Sequence, residues 1–306
     1  MPFKLIVIIL LLASFSNSCQ RRKDIEPDNI FRFEPTIKVG NLNRTYTVVL
    51  PSNYYSEKTD LPLVIAMHGG GGSAKQMEES YELPEKAEAE KYIIVYPDGI
   101  QSDGLLKART WNAGLCCEYA VENDIDDVGF LSKMIDKLIA DFNINPKQVF
   151  LTGMSNGGMM AYRLACEIPQ KITAIAPVAC TMVTTKPCTS QNTIPVLHFH
   201  SELDEHVPYE GGIGIRGINY PAVEKGLKFW AENNTCSNTS KITKQETNYK
   251  LTQWIDCKNN ATVSVYLTKD GGHSWPGITK VRIGGDDPST ALNANELIFD
   301  FFNKYR

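Results

Sequence analysis

Val149-Phe150-Leu151-Thr152-Gly153-Met154-Ser155-Asn156-Gly157-Gly158-Met159-Met160 decides the fold. Its start is apolar and suited to a strand, its middle reads Gly-x-Ser-x-Gly, and its end continues into a helix-like stretch. A serine on a sharp strand-to-helix turn has a strained backbone and needs small neighbours, which Gly153 and Gly157 supply. The turn lifts the hydroxyl above the sheet edge, and the helix that begins near Asn156 directs its positive end at it. Ser155 is therefore the candidate nucleophile. The pentapeptide alone is common; its place between these two elements makes it specific.

Outward from this segment, near-continuous apolar runs at 46–50, 63–67, 93–96, 172–178, 196–199 and 263–267 join 149–152 as candidate strands. Helix-like stretches lie between several of them, at 79–90, 128–142, 159–167, 222–233 and 293–305. In the second, Val128, Leu131, Ile135, Leu138, Ile139 and Phe142 recur at helical spacing behind Asp127 as N-cap, and Asn145-Pro146 then breaks the chain. This alternation predicts an α/β protein, a mostly parallel central sheet with helices on both faces. With the serine turn at a strand end it is the α/β-hydrolase fold. No repeat or linker interrupts residues 35–306, which read as a single catalytic domain.

The N-terminus reads differently. Lys4, an apolar run at 5–13 and a small, mostly polar stretch at 14–18 give the order of an export signal over 1–19. Cys19 falls at the cut site and is the lipidation candidate of a lipoprotein-type signal, a tether to a membrane surface that does not span it. Residues 20–34 are charged and read as a tether. The expected location is secreted, outer-surface or periplasmic. With 35 acidic and 31 basic side chains in 306 residues, the net charge of −4 offers no surface for phosphate backbones, so nucleic acid is not an expected partner.

An oxidising compartment makes the cysteines disulfide candidates. Cys236 and Cys257 bracket a polar, strand-like excursion and are expected to pair; Cys180 and Cys188 fit the closing of a short loop. Cys116, Cys117 and Cys166 remain, with a vicinal bridge or a longer-range partner both open.

A second chemical element supports the first. The run 63–67 leads into His68-Gly69-Gly70-Gly71-Gly72, where backbone N–H groups stay uncovered. In this fold the loop after the third strand and the residue after the nucleophile supply the oxyanion donors, here Gly69 or Gly70 and Asn156. His68 precedes the nucleophile and reads as structural. The chain order of the fold is Ser, then Asp or Glu, then His. His273, in Asp270-Gly271-Gly272-His273-Ser274-Trp275-Pro276-Gly277 after the last strand, is the expected base. Asp204 follows the end of the strand at 196–199 as the expected acid, with Glu202 and Glu205 competing on position alone. His198 and His200 share one face of that strand and read as core or supporting groups. A zinc set of His200, Asp204 and His206 explains neither the glycine loop nor the Ser155 turn.

These segments together resemble the secreted esterase family that includes polyhydroxybutyrate depolymerase-like proteins, feruloyl esterases and some acetylxylan esterases. The resemblance rests on His68-Gly69-Gly70-Gly71-Gly72-Ser73-Ala74, Tyr96-Pro97-Asp98-Gly99, Trp111-Asn112-Ala113-Gly114 with Cys116-Cys117, and Asp126-Asp127-Val128-Gly129-Phe130. It continues through the Ser155 turn, Asp204 with Val207-Pro208-Tyr209, and Gly271 to Gly277, covering nearly all of the chain after the tether. It implies Ser155 as nucleophile, Asp204 rather than the glutamates as acid, and His273 as base. It also places Trp275 and Tyr209 as candidates to line the substrate pocket, with packing under the histidine loop as the equal alternative for Trp275. Where the family reads His-Gly-Thr-x-Asp, this chain has His200-Ser201-Glu202-Leu203-Asp204, which bears on substrate preference more than on catalysis.

The expected activity is hydrolysis of carboxylic esters, feruloyl or acetyl esters of plant polysaccharide, through an acyl-enzyme and with no metal or organic cofactor. Poly- or oligo(3-hydroxybutyrate) is the alternative substrate. An exported, non-catalytic binding protein on a hydrolase scaffold is the alternative outside enzymes.

Overall fold

Leu63, Ile65 and Met67 point to one side of their strand, Val64 and Ala66 to the other, and all are fully buried. A strand apolar on both faces needs a covering layer on each side. The computed structural model describes residues 31–306 except 57–58, 191, 238–240 and 280–284, and contains both layers. The export-signal reading of 1–19, with Cys19, lies outside the described residues.

The chain starts with β1 (Arg32–Phe33), β2 (Thr36–Val39), β3 (Leu42–Val49) and β4 (Leu61–Met67). Helices α1 (Ala74–Ser80) and α2 (Leu83–Ala89) lead to β5 (Ile93–Pro97). A small hairpin, β6 (Ile100–Gln101) and β7 (Arg109–Thr110), precedes α3 (Glu118–Glu122) and α4 (Asp127–Asp141). Then come β8 (Ile144–Met154), α5 (Asn156–Glu167), β9 (Ala174–Val178) and β10 (Val196–Ser201). A second hairpin, β11 (Gly212–Ile213) and β12 (Asn219–Tyr220), is followed by α6 (Val223–Asn233). The chain ends with β13 (Lys241–Gln245), β14 (Tyr249–Trp254), β15 (Val263–Thr268) and α7 (Ala294–Asn303).

Among the described residues the main sheet runs β1-β3-β5-β4-β8-β9-β10-β15-β14-β13, with β2 added on β3. Its centre, β5 to β15, is parallel, as the strand–helix alternation predicts. Both edges are antiparallel. The far edge strand, β13, is exposed throughout and so leaves no apolar signature in the sequence. One face carries α4, α5 and α6, with Phe130, Met134, Leu164 and Trp230 in its core. The other carries α1, α2 and α7, where the rings of Phe150 and Phe302 stack at 4.7 Å. Burying each such large apolar side chain contributes roughly 1.5–3 kcal/mol. This is the α/β-hydrolase architecture.

Three local expectations are corrected. The stretch 79–90 is not one helix: α1 stops at Ser80, Glu82 takes a left-handed φ of 55°, and a new helix starts at Leu83. Pro84 explains the restart, because proline fits a first turn and breaks an interior one. The N-cap of α4 is Asp126, whose Oδ1 accepts the Gly129 N–H at 2.8 Å. Asp127 is instead buried, accepting from Arg44 at 2.7 Å and from the Asn112 N–H at 2.8 Å. The reading of 20–34 as tether overruns the sheet, since Arg32 and Phe33 pair with Val49 and Val48; residues from Phe31 onward form one compact unit.

The cysteines divide in a way the spacing did not reveal. Cys236 pairs with Cys257, and Cys116 with Cys117. The expected Cys180–Cys188 bridge is not formed: Cys188 joins Cys166 at the end of α5, and Cys180 is a buried free thiol. Cys180 sits directly over the serine helix, where a Cβ on Gly158 would come within 2.7 Å of its sulfur.

Candidate active site

β8 delivers the serine. Its residues are buried from Val149 to Met154, so the strand is held by packing on both faces up to the turn. Ser155 then takes φ 52° and ψ −120°, a conformation an L-residue rarely adopts. Two backbone bonds fix it: its N–H donates to the Val178 carbonyl at 2.8 Å, and its carbonyl accepts from Met159 at 2.9 Å. The flanking glycines are required sterically. A Cβ on Gly153 would lie 2.6 Å from the Gly157 carbonyl carbon, and one on Gly157 would lie 2.6 Å from the His68 carbonyl oxygen.

The histidine and the acid converge on this hydroxyl from two other strand ends. His273 Nε2 is 2.8 Å from Ser155 Oγ, and its Nδ1 is 2.8 Å from Asp204 Oδ2. A carboxylate only accepts, so Nδ1 carries the proton and Nε2 is free to accept from the serine. Asp204 stands on the turn after β10, where its Oδ1 accepts the N–H groups of His206 and Val207 at 3.0 and 2.8 Å. Burial alone would raise its pKa. The hydrogen bond and charge of His273, with His200 and the Val207 N–H behind them, outweigh burial and hold it below the ordinary carboxylate range. Glu202 is exposed on the same turn.

The glycine loop lies beside the serine. Gly71 and Gly72 turn their N–H groups to the carbonyls of Arg109 and Gly69, whereas those of Gly69, Gly70 and Asn156 meet no acceptor among the described residues. Gly69 packs on the serine, a Cβ there being 3.5 Å from Ser155 Cβ. The Asn156 side chain is clamped at both ends by Trp111, accepting its N–H at 2.7 Å and donating to its carbonyl at 3.0 Å. His68 is structural, as expected. Its Nδ1–H donates to the Gly69 carbonyl at 2.7 Å and its Nε2 accepts the Gly99 N–H at 2.9 Å. Burial lowers its pKa to about 4, so the ring is neutral.

Ser155 and His273 open on a cavity of about 580 Å³. Tyr81, Met154 and Trp275 line one part of it; the Cys116–Cys117 disulfide, Arg216 and Tyr220 line another. Trp275 also packs inward, fully buried, with its Nε1–H donating to Asn295 at 2.9 Å. Tyr209 is not among the lining residues. Its ring stands edge-on to His200 with centroids 5.5 Å apart, because the turn after Asp204 folds it behind the acid. Sequence reasoning missed Asp286, whose Oδ2 accepts the His273 N–H at 2.6 Å. It also missed the ion pair between Arg216 and Glu118 across the cavity rim. The only signal for Asp286 was a polar run, Asp286-Asp287-Pro288-Ser289-Thr290, following the histidine loop.

Residues 54–218, more than half of the chain, match the family described as Phospholipase/Carboxylesterase. The chain is 29% identical over 239 residues to feruloyl esterase B of Piromyces equi, covering 76% of this chain and 42% of that protein. It is 25% identical over 236 residues to the bifunctional acetylxylan esterase/xylanase XynS20E of Neocallimastix patriciarum, covering 76% and 31%. The chain thus matches less than half the length of each of these relatives. An acetyl xylan esterase from Aspergillus awamori shares the fold, with a TM-score of 0.62 at 15% identity over 90% of this chain and 99% of that one.

Proposed function

The chain belongs to the phospholipase/carboxylesterase family, and from that premise we propose that it hydrolyses carboxylic esters through an acyl-enzyme on Ser155. The observation that carries this reading is the unbroken line from Ser155 Oγ through His273 to Asp204, 2.8 Å at each step, at the base of a cavity. In this reading His273 takes the serine proton as Oγ attacks the ester carbonyl, and Asp204 offsets the charge the ring acquires. The N–H groups of Asn156 and of Gly69 or Gly70 receive the oxyanion; losing one such donor costs about 3 kcal/mol. His273 then protonates the leaving alcohol, and water releases the acid by the same route.

The substrates we propose are feruloyl or acetyl esters of plant polysaccharide. Support comes from what the two relatives are named for and from a cavity of about 580 Å³, which has room for an aromatic acyl group as well as an acetyl. Export through the signal at 1–19, either as a freely secreted chain or with Cys19 as the point of lipid attachment, belongs to the same proposal. Among the described residues, no helix is long and apolar enough to cross a membrane.

The test compares turnover of methyl ferulate, acetylated xylan and 3-hydroxybutyrate oligomers by the full chain, with fluorophosphonate labelling of Ser155. Faster turnover of the first two is expected. Absence of labelling in folded protein overturns the hydrolase reading, and preference for the oligomers overturns the substrate class.

A further inference from the structure

Asp204 lies between two imidazoles, and the reaction uses only one of them. On the side away from His273, His200 Nε2 is 3.4 Å from Asp204 Oδ2 and 2.8 Å from the Val207 carbonyl oxygen. Both neighbours only accept, so Nε2 carries a proton. Nδ1 of the neutral ring is then a lone pair, 3.1 Å from His198 Nε2, which must donate to it. His198 Nδ1 in turn accepts the Tyr162 hydroxyl proton at 3.0 Å. Tyr162, His198 and His200 are all buried, and the two imidazoles stack at 5.3 Å with their planes 11° apart. Every proton along this line is therefore assigned from the acceptor end, and each donor points toward the acid.

The arrangement has a consequence for the acid. A carboxylate stabilises an imidazolium on either side of it. A protonated His200 would pair with Asp204 and neutralise the charge that His273 needs when it takes the serine proton. To gain that proton, His200 has to convert Nδ1 from acceptor to donor. This breaks the bond from His198 and sets two N–H groups against each other in a dry site. Burial acts in the same direction, lowering the pKa of both rings; at His200 it outweighs Asp204 and the carbonyls of Val207 and Cys180, which favour the charged ring.

We propose that Tyr162 and His198 are positioning residues that hold His200 neutral, with its proton on Nε2, and so reserve Asp204 for His273. The kinetic consequence rests on the esterase reading; the protonation of His200 does not.

The other titratable groups facing this pair are Cys180 after β9, Tyr209 after Asp204 and Tyr220 on β12. Burial pushes all three up, so they add no charge at neutral pH. His206 faces His273 with ring centroids 4.8 Å apart, so a His206→Gln control accompanies the measurements.

The deciding measurement is NMR of the full chain labelled with 15N-histidine, titrated from about pH 5 to about pH 9, the range in which a free histidine changes charge. His200 is expected to keep one proton, on Nε2, throughout. A second proton within that range, or a proton on Nδ1 instead, overturns the proposal whether or not the chain is an esterase.

The kinetic arm uses His198→Leu, which removes the donor to Nδ1. The acid limb of log kcat/KM against pH is expected to steepen from a slope of about one toward about two, because two imidazoles now take up protons. His198→Gln, whose amide can still donate, is expected to restore the shallower limb. A folded His198→Leu protein with the wild-type limb overturns the proposal, and if it does not fold, the NMR titration decides. Failure of the esterase reading is distinguishable, as loss of ester turnover in the wild type with the histidine spectra unchanged.

Discussion

Ser155 stands on a turn fixed by packing and close backbone contact, whereas His273 stands on a loop fixed by carboxylates. Around the serine, glycines at 153 and 157 leave no room for a methyl group, and the neighbours they would strike are main-chain atoms. Around the histidine, Asp286 accepts the His273 N–H at 2.6 Å and Asp270 accepts from Ser289 Oγ and the Thr290 N–H at 2.5 and 2.8 Å. Main-chain atoms next to a strand end cannot move aside; carboxylates on a loop can. The serine side is thus sensitive to added volume; the histidine side, tight at Gly271 against the backbone of Ser289, is in addition sensitive to lost charge.

The largest effect expected tests the serine alone. Ser155→Ala should lower kcat on an aryl ester by a factor on the order of 10⁴ or more. Its unfolding free energy should stay within about 0.5 kcal/mol of wild type, since no packing is removed. A parallel fall in stability would mean that the hydroxyl helps to hold the turn and that chemistry and scaffold are not separate there.

Gly157→Ala probes the scaffold in the same turn. Its methyl group would lie 2.6 Å from the His68 carbonyl oxygen and closer still to that of Met67, both at the end of β4. A loss of about 3 kcal/mol or more in denaturant unfolding is expected. The matching change on the histidine side, Gly272→Ala, meets the Asp286 side chain instead: its carboxylate can rotate away, while its Cβ, 2.8 Å off, has to shift with the loop. Its cost should fall mainly on activity. Equal destabilisation by the two alanines would break the comparison.

Asp286→Ala is next in size. Removing a hydrogen bond to a charged acceptor costs about 1.5–3 kcal/mol, and expressed in positioning of His273 that is roughly a 10- to 100-fold fall in kcat. Asp286→Asn keeps an acceptor oxygen and should recover much of the rate. Steady-state kinetics of both variants on one ester check this. If alanine leaves kcat unchanged, the loop is held without Asp286.

The same contrast explains what could be read from sequence. The serine turn is local: strand, glycines and helix are contiguous, so their mutual constraint is written in one stretch. Asp204 and His273 follow from the order of strand ends along the chain. Asp286, Arg216 and the clamp of Trp111 on Asn156 join segments that sequence spacing does not connect, and polar loop residues carry no periodicity to reveal their partners. Cys180 and Cys188 looked like a pair because they are near in sequence. In the fold one side chain turns into the core beside Gly158, and the other meets α5. Tyr209 was a pocket candidate through the family resemblance, but the turn that brings Asp204 to His273 folds the tyrosine behind it.

The smallest expected effect is a pH dependence confined to the base side. Asp270 is raised by partial burial, but its bonds from Ser289 and Thr290 prevail and leave its pKa below the ordinary value. The folded chain therefore favours the carboxylate. The stability this contributes is fully present above the unfolded pKa of about 3.9 and is lost as pH falls through the lower folded value. Asp204 shifts in the same direction, so the wild-type curve alone does not separate the two. The difference between wild type and Asp270→Asn does. It should be at most about 1 kcal/mol near neutral pH and shrink toward acid, read as thermal midpoints in matched buffers. A difference that grows as pH falls would mean that Asp270 is protonated in the folded loop. The base side would then be held by its neutral hydrogen bonds, and the contrast with the serine turn would rest on Asp286 alone.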